Sequence, residues 1–243
     1  MTTHKQLTEK LKKAMREDYH SVHPEKNPVA VAVPQLSDYG LRRALSQYTI
    51  FPKNIVSFLE AACDTSRESD WTKIADELTR NIGEELGTET GGIIHYDMLV
   101  KGLADGLDSS LEGYLRNLLP SSATEEFVQK VRTIAQDQQP AYAVGGTYAL
   151  ESSAVPELVI VRDALNELFT RATGQPMQDG MLKEFFRRHL DIWEPGHEEG
   201  LREASAKYIL GQQDKKLFEA GFRNVMSTMD AWWIGLYKES RDL

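Results

Sequence analysis

The chain has 243 residues, 41% hydrophobic and 27% charged, with a formal net charge of −9. That length suits one large domain with a well-buried core. An acidic chain without a basic stripe is a poor match for nucleic acid or an anionic membrane surface, since phosphates are bound by Lys and Arg.

Cys63 is the single cysteine, which excludes an internal disulfide and any cysteine-rich zinc or iron–sulfur site. No apolar run of about 18 residues and no signal-peptide core is visible, so a reducing, cytoplasmic setting without a membrane contact is expected.

Residues 5–17 read as a charged amphipathic helix with Leu7, Leu11 and Ala14 on one side. With the loop Pro24–Pro34 it forms an N-terminal segment, residues 1–34, that packs on the rest of a single helical domain spanning 1–243. His20 and His23 read as surface residues. Ser37 or Asp38 caps a helix with Leu41, Ala44, Leu45 and Tyr48 at helical spacing, and Pro52 opens another with Ile55, Phe58, Leu59 and Ala62 inward. Cys63 follows as a small core residue.

In the helix of residues 70–86, Ile74, Leu78 and Ile82 recur every four residues. Glu85 falls on their face, whereas Glu84 falls off it and is expected to face water. A buried carboxylate without a partner costs several kcal/mol, so an inward Glu85 calls for a metal, a base or a set of donors. Fraying at Gly87 is the alternative. After a flexible loop over Gly87–Gly92, His95 opens the next helix on the stripe of Met98, Leu99 and Leu103; alone it reads as structural.

Residues 107–119 and 123–139 read as helices without evident chemistry. From Ala141 onward Val144, Tyr148 and Val155 share one face with Glu151, while Glu157 lies opposite. Pro156 is expected to kink or restart the helix. Toward Thr173, Leu158, Val161, Leu165, Leu168 and Phe169 point inward with Arg162 at the edge. Helices over 198–211 and 213–239 come next, the last closing the bundle with Trp232, Trp233 and Tyr237.

The stretch Phe185–Gly200, FFRRHLDIWEPGHEEG, concentrates the chemistry. His189 shares its stripe with Phe185 and Ile192, but in a regular helix Glu194 and His197 fall off it. Pro195 lacks an N–H and clashes with the carbonyl of Asp191. A single-residue π-bulge absorbs such a fault and returns Glu194 and His197 to the side of His189. The alternative is a helix end at Pro195-Gly196 and a new helix beyond it. Six inward groups then emerge: Glu85, His95, Glu151, His189, Glu194 and His197. Oxygen and nitrogen ligands without thiolates suit iron or manganese, and helix bundles build paired-metal sites of this kind.

These residues carry a resemblance. NIGEELG, GGIIHYDML, YALESSAVPEL and FFRRHLDIWEPGH resemble the motifs of the heme-oxygenase-like di-iron oxidases, the helical family that includes CADD-like proteins and shares its fold with TenA proteins and heme oxygenases. The likeness covers about residues 35–235. It implies an all-α, heme-oxygenase-like multi-helical bundle and two irons, or manganese or a mixed pair, held by the six residues above. It further implies an iron-dependent oxidoreductase using dioxygen and an external reductant on a small organic substrate such as an amino acid, fatty acid or amine. Tyr148 and Arg162 are candidate substrate contacts, and a homodimer is compatible with this reading. The last cluster departs from the family spacing by one residue before the acid, which leaves Asp191 as a substitute for Glu194. The alternatives are a TenA-like thiamin-fragment hydrolase with Cys63 as nucleophile, a non-catalytic binding protein of the same fold, and a heme protein.

Overall fold

The computed structural model describes residues 2–241, and among them the chain forms helices and no strand. In order these are α1 (His4–Asp18), α2 (Pro28–Ala32), α3 (Asp38–Tyr48), α4 (Ile50–Glu68), α5 (Thr72–Glu85), α6 (His95–Gly106), α7 (Leu111–Arg116), α8 (Ser122–Ala135), α9 (Pro140–Thr173) and α10 (Met181–Arg188). A π-helical turn (His189–Trp193) then leads into α11 (Glu194–Ser205), and α12 (Gln212–Arg241) completes the bundle.

Side-chain caps set several starts: Thr3 forms a capping box with Gln6, Asn27 accepts from Val29 and Ala30, and Ser37 accepts from Gly40. Asn27 with Pro28 at the first helical position makes α2 a helix where a loop was expected. The helix expected over 107–119 shrinks to α7.

α9 and α12 share the most extensive contact in the molecule. They approach closely because two glycines face backbone: a Cβ on Gly145 would overlap the Phe218 carbonyl, and one on Gly221 the Tyr142 carbonyl. α9 is buried on nearly all sides through its middle, from Ala143 to Ser153. Pro156 does not restart it. The fault it makes at the Ser152 carbonyl is tolerated because packing on both flanks holds the helix.

Trp232 and Trp233 are buried and pack with Tyr48, Phe51 and Phe127, closing the bundle as expected. α1 lies on α12 with Leu7, Leu11 and Met15 buried, and Lys12 reaches Glu198 of α11 at 2.8 Å. Among the described residues no helix is long and apolar enough to cross a membrane.

Candidate metal centre

Five helical segments, α5, α6, α9, the π-turn and α11, bring carboxylates and imidazoles into one buried volume. α5 ends at Glu85, and α6 begins at His95. The intervening loop doubles back at Gly87, whose φ of 96° favours glycine and whose Cβ would lie 2.8 Å from the Ile93 carbonyl. The Gly92 N–H donates to the Gly87 carbonyl at 2.9 Å and closes the turn. Glu85 and His95 Nδ1 thereby come within 3.2 Å.

The π-turn replaces one α-helical step. Glu194 N–H bonds to the carbonyl of His189, five residues back, just before Pro195, which has no N–H to give. This rotates the downstream side chains by about one residue, or about 100°. Trp193 turns inward at 3% exposure and Ile192 outward at 53%, so the expectation that Ile192 joins the apolar stripe is corrected. Glu194 and His197 return to the side of His189, and no helix ends at Pro195-Gly196. Asp191 is exposed, leaving Glu194 as the inward carboxylate.

All six expected groups are buried and gathered together. Ligand atoms of Glu85, His95 and His189 lie within 4.8 Å of one another, as do those of Glu85, Glu194 and His197. Glu151, from the middle of α9, is 3.4 Å from His197 Nδ1, and Glu194 is 3.8 Å from the same atom. Two sets of donors thus share Glu85.

The protonation of the cluster is set by burial and neighbours. Burial pushes the His189 imidazole down to about 4, so it is neutral; its Nδ1–H donates to the Phe185 carbonyl at 2.7 Å and leaves Nε2 free as a ligand atom. Burial pushes Glu194 up to about 7 against the pull of His197. His197 stays well above its ordinary range despite burial, because Glu151, Glu194 and Glu84 surround it. Glu85 is drawn down by His95, outweighing its burial. Among the described residues neither ring nitrogen of His95 makes an aligned hydrogen bond, although the Glu85 carboxylate lies 3.2 Å from Nδ1; a bound cation would satisfy this buried imidazole. Three carboxylates, three imidazoles and no thiolate fit two non-heme metal ions.

A cavity opens beside Glu85, Glu151, His189 and Glu194. Its other wall is apolar, including Phe51, Ile55, Leu150, Ala154, Leu158 and Phe185, with the Tyr48 ring among them; no Lys or Arg lines it. Tyr148 and Arg162, expected at the substrate, lie elsewhere. Tyr148 is fully buried with its hydroxyl donating to Glu198 at 2.5 Å, and Arg162 sits on the outer surface paired with Asp163 at 2.8 Å.

Glu84 is the largest departure from expectation. It is buried at 6% exposure, accepting from His197 Nε2–H at 2.8 Å and bonded to Arg80. α5 is covered by α4 on one side and α11 on another, so it has two buried faces where periodicity assumes one. The available signal was the charged row Glu77, Arg80 and Glu84 at helical spacing. Glu157, expected opposite the apolar face, is likewise wholly buried, with Trp233 Nε1–H donating to it at 2.6 Å.

The fold and this arrangement define a class: an all-α bundle with a buried carboxylate and imidazole cluster in its core. Residues 5–239 match the family described as a domain of unknown function with a solved structure (DUF3865), and the chain belongs to that family. It is similar to a CADD-like protein of unknown function from Nostoc punctiforme PCC 73102, at 35% identity and a TM-score of 0.89 over 98% of each chain. A second crystal structure of that protein gives 33% identity and a TM-score of 0.86, covering 98% of this chain and 95% of the other.

A TenA homolog from Pseudomonas syringae pv. tomato str. DC3000 superposes with a TM-score of 0.64 over 96% of this chain and 92% of its own; at 14% identity this speaks for the fold alone. The 4-chloro-allylglycine synthase of Streptantibioticus cattleyicolor is 25% identical over 165 residues, covering 67% of this chain and 58% of that enzyme. The chain therefore matches well under two thirds of that relative's length.

Proposed function

We propose that this protein is a non-heme di-iron oxidase or oxygenase that uses dioxygen and an external reductant on a small organic substrate. The observation that carries the proposal is the sharing of Glu85 between two sets of buried donors, which is the arrangement a pair of ions needs. His95 and His189 with Glu85 would hold one ion; Glu151, Glu194 and His197 with Glu85 would hold the other. Bound iron would supply the binding and reductive activation of dioxygen, chemistry that amino-acid side chains lack. Manganese or a mixed pair suits the same donors.

The chain's own residues do the rest. His189 presents Nε2 because its Nδ1–H is held by Phe185. The apolar wall of Phe51, Ile55, Leu150 and Leu158 excludes water and takes the carbon skeleton of a substrate. With no Lys or Arg in that wall, an anionic substrate group would be met by the metal ions. The relationship to 4-chloro-allylglycine synthase supports an enzyme in which a small amino-acid-like molecule is handled, and the reductant is supplied from outside.

The hydrolase alternative lacks its nucleophile. Cys63 is 1% exposed, its Sγ is 3.4 Å from the Ala75 carbonyl, and it does not line the cavity.

Anaerobic titration with ferrous iron and then exposure to oxygen tests the proposal. Two irons per chain, with a transient visible absorbance lost in Glu151→Ala and His189→Ala, support it. An absence of iron uptake by the wild type overturns it.

A further inference from the structure

We infer that Glu84 is a positioning residue, fixing His197 so that Nδ1 faces the metal ions while Nε2–H is held from behind; this rests on the di-metal reading above. His197 Nε2 and Glu84 Oε2 are 2.8 Å apart in a buried contact. The opposite ring nitrogen, Nδ1, faces Glu151 at 3.4 Å and Glu194 at 3.8 Å. One imidazole edge therefore meets the donor cluster, and the other meets a carboxylate outside it. A carboxylate accepting the remote N–H of a ligating histidine selects the tautomer, orients the ring and raises its basicity.

Glu84 is itself held. Arg80, one turn earlier on α5, bonds to Glu84 and also grips Glu77, with Nη2 2.6 Å from Oε1 and Nε 3.3 Å from Oε2. Glu77 in turn packs against Gly200 of α11, where a Cβ would overlap its carboxylate. Gly200 lies three residues beyond His197, so α11 carries both the held imidazole and the gap that admits the end of the side-chain row holding it. The row Glu77, Arg80, Glu84 ties the two helices together at the height of the site.

The three histidines are thus held differently. His189 is fixed by a backbone carbonyl and His197 by Glu84, whereas His95 has no aligned hydrogen bond among the described residues and faces Glu85 at 3.2 Å. Loss of Glu84 should therefore affect the ion at His197 and spare the one at His95 and His189.

The test uses the full chain with Zn²⁺, a diamagnetic probe that reports binding without turnover. The wild type is expected to bind two ions and to show a hydrogen-bonded His197 Nε2–H resonance. Glu84→Ala should weaken one of the two ions by about 10- to 100-fold and remove that resonance. Glu84→Gln, which keeps an acceptor, should recover part of the affinity and the resonance. Arg80→Met should weaken the same ion by a smaller factor.

Two ions bound at wild-type affinity by Glu84→Ala, with the resonance intact, overturn the inference and leave the metal centre standing. If that variant does not fold, unchanged affinity in both Glu84→Gln and Arg80→Met overturns it equally. A wild type that binds no Zn²⁺ and no iron removes the metal centre itself.

Discussion

The imidazole of His95 and the indole of Trp193 lie face to face, with ring centroids 3.9 Å apart and planes 21° from parallel. The same indole meets His189 edge-on at 4.7 Å, donates its Nε1–H to Glu89 at 3.1 Å and lies under the Arg188 guanidinium. This stack, the edge-on contact of His95 with His189 at 4.7 Å and the Glu85 carboxylate 3.2 Å from Nδ1 together set the plane of His95. Trp193→Ala is expected to cost about 3–5 kcal/mol of stability by emptying a buried site. Trp193→Phe keeps a stacking face, loses one hydrogen bond and should cost about 1 kcal/mol. Urea unfolding measures both. In metal titrations the Ala variant should weaken the ion proposed at His95 while Phe preserves it; equal affinity in both would show that the stack does not orient the proposed ligand.

Metal binding should release protons. In the metal-free cluster burial places Glu194 at about 7, and His197 keeps its proton well above the ordinary histidine range because carboxylates surround it. As the ligands proposed above, both would have to deprotonate, so metal and proton would compete. Affinity should rise as pH increases through about 7, by up to about tenfold per pH unit for each proton displaced. Calorimetry in buffers of different ionisation enthalpy counts the protons. An affinity that stays flat from pH 6 to pH 8 would contradict the protonation described here.

How much of the fold and site is legible in the sequence depends on how many faces of each helix are covered. Glu85, His95, Glu151 and His189 are given by helical spacing because each shares the apolar stripe of its helix. The π-turn is legible because Pro195 supplies a fault just where one absorbed residue returns Glu194 and His197 to the side of His189; Pro156, with no such cluster beside it, is carried by α9 without a bulge. Glu84 and Glu157 are not, since α5 is packed on two sides and α9 meets α12 on the side where Trp233 bonds to Glu157. On such helices a residue off the main stripe still meets protein. Tyr148 is inward as read, but the middle of α9 is buried on nearly all sides and periodicity does not say which of them faces the cavity; Arg162 lies at the helix edge, as read, and does not line that cavity.

The crossing of α9 and α12 should be intolerant of a single methyl group. Gly145→Ala places a Cβ onto the Phe218 carbonyl, and backbone cannot yield as a side-chain tip does. The expected loss is at the upper end of overpacking costs, about 3 kcal/mol, with Glu151 displaced as α9 moves. Gly196→Ala is the control. Gly196 is exposed within α11 with nothing within 4 Å of the new Cβ, so it should stabilise the chain by about 0.5–1 kcal/mol through helix propensity. Thermal unfolding of the two variants in parallel separates close packing from propensity; a Gly145→Ala protein as stable as the wild type would mean that the two helices are not in contact there.

Glu157 gives a pH dependence that is independent of any metal. Its side chain is wholly buried; Oε1 accepts from Trp233 Nε1–H at 2.6 Å, and Oε2 has no hydrogen-bond partner among the described residues. Burial pushes its carboxyl up to about 8 from an ordinary 4.5, with Trp233 opposing and Asp230 assisting. Between those two values the unfolded chain has lost the proton and the folded chain retains it. The stabilising contribution is therefore complete below about 4.5, falls as pH rises toward about 8 and is gone above it, with a slope of at most about 1.4 kcal/mol per pH unit. Glu157→Gln keeps an acceptor for Trp233 and cannot ionise, so its stability should lack that decline. Urea midpoints at several pH values from 5 to 8 should show the wild type losing ground to the variant as pH rises. Parallel curves would mean that Glu157 is already ionised in the folded protein and that its second oxygen finds a donor.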